Sequence, residues 1–242
     1  MTRLEFPYAQ LMPPWDVVGE IASAIEQDSW LLVGGLMVQA HAMIAGLESR
    51  ATVDVDMLID VLADTQNIDR VIGGLKDLGF QLQEPAFRKS PIYRLRRDDQ
   101  IVDVLIAEHL PSGKRKAAKI GQLPLLEALG GAQAVDRKML ASFEDAGHMK
   151  SFWMPDQLGA LILKSAAYSS DNRDRSRHLS DVALLASLIN NLASERERLR
   201  GSDKKRIRSV WAVLKDQNHS AWLNLSGTGK ARGHDVLRIL AS

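Results

Sequence analysis

The chain has 242 residues, 45% of them hydrophobic and 25% charged, and a net charge of +1, so no global field demands nucleic acid or an anionic membrane as partner. It contains no cysteine, which excludes disulfides, thiolate metal sites and cysteine nucleophiles. No apolar run approaches the roughly 18 residues of a membrane helix, and no basic segment followed by an apolar core opens the chain, so a cytoplasmic protein without a membrane partner is expected.

Residues 15–28 (WDVVGEIASAIEQD) place Val17, Val18, Ile21, Ala24 and Ile25 at a helical period. WLLVGG then reads as a short buried strand ending in a glycine pair, and LMVQAHAMIAGLE as the helix that follows. TVDVDMLID alternates as a strand. Ile68, Val71, Ile72, Leu75 and Leu78 form one helical stripe, in which Gly73 and Gly74 are unfavourable. IYRLRRDDQIVDVLIA reads as two strands joined by a tight turn at Asp98-Asp99. Beyond HLPSGKRKAAKIGQLP the strand signals fade, and helical stripes are expected at 124–130, 155–169, 178–193, 203–217 and 233–241. The expected class is α+β: a mixed β-sheet core with helices over residues 1–120, then an all-helical part over residues 121–242.

Asp54 and Asp56 share one face of the strand TVDVDMLID, since side chains two apart on a strand point the same way. They lie either on a solvated face or at a site where a divalent cation relieves their mutual repulsion. Asp103, a lone acid in the apolar QIVDVLIA, needs a partner if buried. It is either a hydrogen-bonded structural acid or a third metal ligand. Gly34 and Gly35 stand at a strand-to-helix turn, where backbone N–H groups approach a phosphate closely; a plain tight turn is the other reading. Arg50 and Thr52 supply donors just ahead of the acids, within reach of phosphates or of the carboxylates themselves. In the helical part, Lys164 sits within LGALILKSAAY, where its ammonium either snorkels outward or needs an anion. Asp181 follows Arg173, Arg175, Arg177 and His178, and reads as either an acid favoured by a helix N-terminus or a functional group.

A glycine pair at a strand–helix turn, then R-x-T-x-D-x-D entering a strand, then an acid on a later strand, resembles the nucleotidyltransferase superfamily. GGLMVQAHAMIAGLESRATVDVDMLI is similar in particular to the AbiEii/AbiGii-type toxins of bacterial toxin–antitoxin and phage-exclusion systems. LGALILKSAAYSSDNRDRSRHLSDVALLASL resembles that family's helical motifs, with Lys164 at the lysine and Asp181 at the last acid. The resemblance spans roughly residues 30–192. Leu36 stands where a serine or threonine is common, His178 where an acid is common, and the gap between Gly35 and Asp54 is longer than the family's usual one.

The resemblance implies a metal-dependent nucleotidyltransferase that moves a nucleoside monophosphate from a nucleoside triphosphate to an acceptor such as tRNA or another RNA. Asp54, Asp56 and Asp103 would hold two Mg²⁺ ions, with Mn²⁺ as the alternative. Gly34, Gly35, Arg50, Thr52 and Lys164 would bind the nucleotide. Asp181 would orient or deprotonate the acceptor, and the helical part would complete the active-site cleft. A cognate antitoxin protein is the implied partner. Two other readings stay open: a non-catalytic nucleotide- or partner-binding protein of the same fold, and transfer to a small hydroxylated molecule such as an aminoglycoside.

SGTGKAR at 226–232 is only a fragment of a phosphate-binding loop, because Asn224 and Ala231 occupy its required glycine and hydroxyl positions; an ordinary loop is expected. The histidines lack metal-helix spacing, so zinc is not expected. The basic runs GKRKAAK and ERERLRGSDKKRIR read as solvated faces, with RNA contact as the other reading.

Overall fold

Residues 2–5, 12–85, 87, 90–171 and 174–242 are described in the computed structural model of this protein, and the chain forms two units, Met1–Pro155 and Asp156–Ser242. In the first unit, the edge strand β1 (Thr2–Arg3) precedes α1 (Trp15–Ala24), which buries Val17, Val18 and Ile21 of the expected stripe together with Trp15, while Ala24 is exposed. All four residues of β2 (Trp30–Val33) are buried, and it runs straight into α2 (Gly34–Ile44). In β3 (Asp54–Ile59), Val55 and Met57 face the core. Helix α3 (Asn67–Asp77) tolerates Gly74 because a Cβ there would stand 2.6 Å from Ile25 Cγ1. After β4 (Gln81–Leu82), β5 (Arg94–Arg97) and β6 (Gln100–Ala107) form the expected hairpin, Arg97 opposite Gln100, with Asp98 at φ +52° in a conformation that Asp tolerates.

Helix α4 (Ser112–Ala117) and the small antiparallel pair β7 (Lys119–Ile120) and β8 (Leu123–Pro124) lead to β9 (Leu126–Ala128), which pairs in parallel with β6. The helix expected at 124–130 is therefore replaced by a strand, because Leu126 to Ala128 find open backbone partners at Leu105 to Ala107. Helix α5 (Gly131–Val135) is followed by the hairpin of β10 (Lys138–Asp145) and β11 (His148–Pro155). Its two-residue turn, Ala146-Gly147, has φ of +48° and +79°. The large sheet has the order β1-β10-β11-β2-β3-β6-β5-β4 and is mixed, with β2 and β3 antiparallel and β3 and β6 parallel.

The β10–β11 hairpin corrects the expected division at residue 120. Residues 121–155 belong to the sheet unit, and the all-helical part begins at Asp156. The physical reason is aromatic. Phe143 and Phe152 are fully buried, Phe152 stacks on Trp30 with centroids 6.3 Å apart, and Phe143 meets Trp15 edge-on at 6.2 Å.

The second unit comprises α6 (Gln157–Ser170), α7 (Arg175–Leu188), α8 (Leu192–Glu197), α9 (Asp203–Leu214) and α10 (Gly227–Ala241). Side chains of Asp156, Asp174, Asn191 and Ser226 cap α6, α7, α8 and α10 by accepting a backbone N–H. SGTGKAR is thus the capped first turn of α10 rather than a loop: Ser226 Oγ accepts from Gly229 N at 3.1 Å. Gly233 lets α10 approach α7, since a Cβ would lie 3.2 Å from Ala183 O and 2.9 Å from the Trp222 ring. Among the described residues, no helix is long and apolar enough to cross a membrane.

Candidate metal centre

Parallel pairing of β3 with β6 sets Asp56 beside Asp103, and Asp54 lies two residues earlier on the same face of β3. One carboxylate oxygen from each of the three lies within 4.8 Å of the others. Asp103 is buried, and Asp54 and Asp56 are half-buried. At that separation, and with an effective dielectric of about 20, each ionised pair repels by roughly 3 kcal/mol. A cation among the three carboxylates relieves this repulsion.

Gly34 has φ +68°, and a Cβ on it would fall 1.7 Å from Asp56 Oδ2. A Cβ on Gly35 would fall 2.7 Å from Thr52 Oγ1. The glycine pair therefore makes room for the side chains of the acid motif. Antiparallel pairing of β2 with β3 explains the closeness, because Val33 lies opposite Asp56. Thr52 Oγ1 donates to Asp54 Oδ1 at 2.8 Å, so its hydroxyl orients the first acid. Arg50 is fixed through its backbone: its carbonyl accepts from Gln39 Nε2 at 3.0 Å, and its own Nη1 donates to the Ala51 carbonyl at 3.2 Å.

One cation is already present, and the sequence reading did not single it out. Arg94, opposite Asp103 on β5, donates from Nε to Oδ1 and from Nη2 to Oδ2, each at 2.7 Å. This fork raises the guanidinium pKa further above its ordinary value. Burial acts against that, and the charges of Asp103, Tyr93 and Asp54 add to it. The signal was readable: a two-residue turn at 98–99 puts residue 94 opposite residue 103 by simple counting along the hairpin.

The donor set is all carboxylate oxygen, which suits a hard divalent cation rather than a zinc or thiolate centre. Asp54, Asp56 and Asp103 thus form a group that could hold a metal ion. Glu108, another buried acid on the same chain segment, serves a different purpose. Its oxygens accept from Gly130 N at 2.7 Å and Gly131 N at 2.9 Å, anchoring the start of α5.

In the second unit, Lys164 Nζ lies 2.8 Å from Asp181 Oδ2, with the side chains 5% and 2% exposed. The snorkelling alternative fails, since the ammonium is buried beside its partner. Asp181 also stands too far into α7, which begins at Arg175, for the helix N-terminus to explain it. His178 Nε2 faces Asp171 Oδ2 at 3.1 Å, and the same oxygen accepts from Arg177 Nη2 at 2.9 Å. Burial lowers the His178 pKa, the Lys164 charge lowers it further, and the Asp171 hydrogen bond opposes both. Its buried Nδ1 has no hydrogen-bond partner among the described residues. Arg173 lies outside the described residues.

Compared with protein-family models, curated proteins and solved structures, the chain gives no match.

Proposed function

We propose that the protein is a metal-dependent nucleotidyltransferase. The observation that carries this reading is the meeting of Asp54, Asp56 and Asp103 on one face of two parallel strands, with ligand oxygens within 4.8 Å. The resemblance of the G-G and R-x-T-x-D-x-D motifs supports it. Asp54, Asp56 and Asp103 would hold the divalent ion or ions, Mg²⁺ or Mn²⁺. Such ions supply charge neutralisation to a triphosphate and orientation to the oxygens that attack and leave. Thr52 steers Asp54, and the bare Cα of Gly34 leaves Asp56 its place.

In the reaction proposed, an acceptor hydroxyl oxygen bonds to the α-phosphorus of a nucleoside triphosphate, the bond to the β-phosphate oxygen breaks, and pyrophosphate leaves with its electron pair. The hydroxyl proton passes to a base. The resemblance gives Lys164 the balancing of phosphate charge and Asp181 the acceptor side, and an ammonium buried against a carboxylate suits a lysine kept for an anion. The acceptor proposed is RNA such as tRNA, and the biological role that of the toxin of a toxin–antitoxin pair. The location proposed with these substrates is the cytoplasm.

Incubation with each α-labelled nucleoside triphosphate, Mg²⁺ and total RNA should move label onto RNA, and Asp54→Ala or Asp56→Ala should abolish the transfer. Wild-type turnover in either variant would remove the metal assignment. Absence of transfer from all four nucleotides to RNA, and to a panel of aminoglycosides and other hydroxylated small molecules, would sink the enzyme reading.

A further inference from the structure

The face that carries the three carboxylates continues across β6 onto β5, and there its charge reverses. Registers Asp56–Asp103–Arg94 and Asp54–Ile101–Arg96 run side by side across β3, β6 and β5, so Arg94 and Arg96 share the face of the acids. Leu95, between them, is buried on the opposite face, where Arg97 also reaches the Leu78 carbonyl and the Phe80 ring. Strand spacing puts Arg96 about 10 Å from Asp54, two strands away. Arg96 is exposed and has no ion-pair partner among the described residues. Asp103 takes the Nε and Nη2 edge of Arg94, which leaves Nη1 with no hydrogen-bond partner among the described residues.

Resting on the metal-site reading above, we infer that Arg94 and Arg96 are the polyphosphate-binding side of this centre, and that the site takes a divalent cation as its polyphosphate complex in preference to the bare ion. Two consequences of the fork lead there. Arg94 already neutralises one of the three negative charges and occupies both oxygens of Asp103, so a bare cation must compete with a bidentate guanidinium. The same fork fixes the guanidinium in one orientation and leaves Nη1 free to donate to a further group. A planar cation so held suits a phosphate oxygen, and Arg96 in the adjacent row offers a second charge. A polyphosphate that brings its own cation supplies negative oxygens to both arginines and positive charge to the carboxylates together.

The test measures binding without turnover. Mn²⁺ alone is followed by the electron paramagnetic resonance of the free ion, and the preformed Mn²⁺–tripolyphosphate complex by calorimetry, so no base preference enters. Arg94→Gln should bind Mn²⁺ alone about tenfold more tightly and the complex about tenfold more weakly, the size expected for one charge-assisted contact. Arg96→Gln should leave Mn²⁺ alone unchanged and weaken the complex severalfold. Arg94→Lys, which keeps the charge without the fork, should weaken the complex while changing Mn²⁺ affinity little; it serves where Arg94→Gln fails to fold. Parallel changes in both affinities, or none, would show that the Arg94–Asp103 pair is only structural and overturn the inference. Wild type that binds neither Mn²⁺ nor the complex would instead overturn the metal-site reading itself.

Discussion

Gly34 concentrates two demands on one position. Its φ of +68° disfavours any side chain, and the space a Cβ would fill belongs to the Asp56 carboxylate, 1.7 Å away. Gly34→Ala should therefore cost at least about 3 kcal/mol in urea unfolding, or else displace Asp56 and weaken Mn²⁺ binding. Gly73, within α3 with nothing within 4 Å of its would-be Cβ, is the control: Gly73→Ala should stabilise by about 0.5–1 kcal/mol. A Gly34→Ala variant with unchanged stability and unchanged metal affinity would refute this account of the glycine pair. At this scale the sequence was legible in residue types and less so in partnerships. Asp54, Asp56 and Asp103 stood out because carboxylates are conspicuous in apolar strands. Arg94 did not, because one arginine among Arg94, Arg96 and Arg97 has no local mark; only the hairpin register selects it.

Among the elements, α6 and α7 are joined by an ion pair that neither helix could satisfy alone. Lys164 has no acid within a turn of its own helix, and Asp181 on α7 supplies the charge at 2.8 Å, both groups being almost fully buried. Removing Lys164 should leave the buried Asp181 carboxylate without the ammonium that faces it at 2.8 Å. Lys164→Met is expected to destabilise by about 3–5 kcal/mol, and Lys164→Met with Asp181→Leu to recover most of that loss. Additive losses in chemical denaturation of the two single variants and the double would contradict this coupling. Four of the five helices of this unit were legible because their apolar stripes are long, whereas the short α8 and the first turn of α10 at 227–232 carry no such stripe. The β10–β11 hairpin was not. Met139 and Leu140 are adjacent, which blurs a period of two, and Ala146-Gly147 lacks the Asn-Gly or Asp-Gly signature of such turns. The fold is decided there by distant rings, Trp15 and Trp30 against Phe143 and Phe152, which no local window contains. Likewise β9 exists because β6 has open backbone groups to offer, a tertiary fact overriding a leucine-rich stripe.

For the whole molecule, charge is balanced in sum and unbalanced in place. Thirty-one lysines and arginines against 30 aspartates and glutamates give no bulk field to gather cations. Locally, the carboxylates of Asp54, Asp56 and Asp103 gather within 4.8 Å of one another on one face of the sheet, with Arg94 forked onto Asp103 and Arg96 on the same face. Folding must hold this cluster together, so in the absence of divalent ions it should subtract from stability, and ion binding should return it. Asp54→Asn keeps an oxygen for the Thr52 hydroxyl and removes one charge. In a chelator, its thermal midpoint should equal or exceed that of wild type, because a like-charge repulsion is gone. With Mg²⁺ at about ten times its dissociation constant, wild type should gain about 1.4 kcal/mol by mass action, or roughly 3–6 °C for a chain of this size. The variant should gain little. The comparison of four melts, two proteins with and without Mg²⁺, separates the site from the rest of the surface: an equal rise in both proteins would mean that the ion binds elsewhere, and a variant less stable than wild type in chelator would mean that Asp54 is held by attraction rather than strained by repulsion.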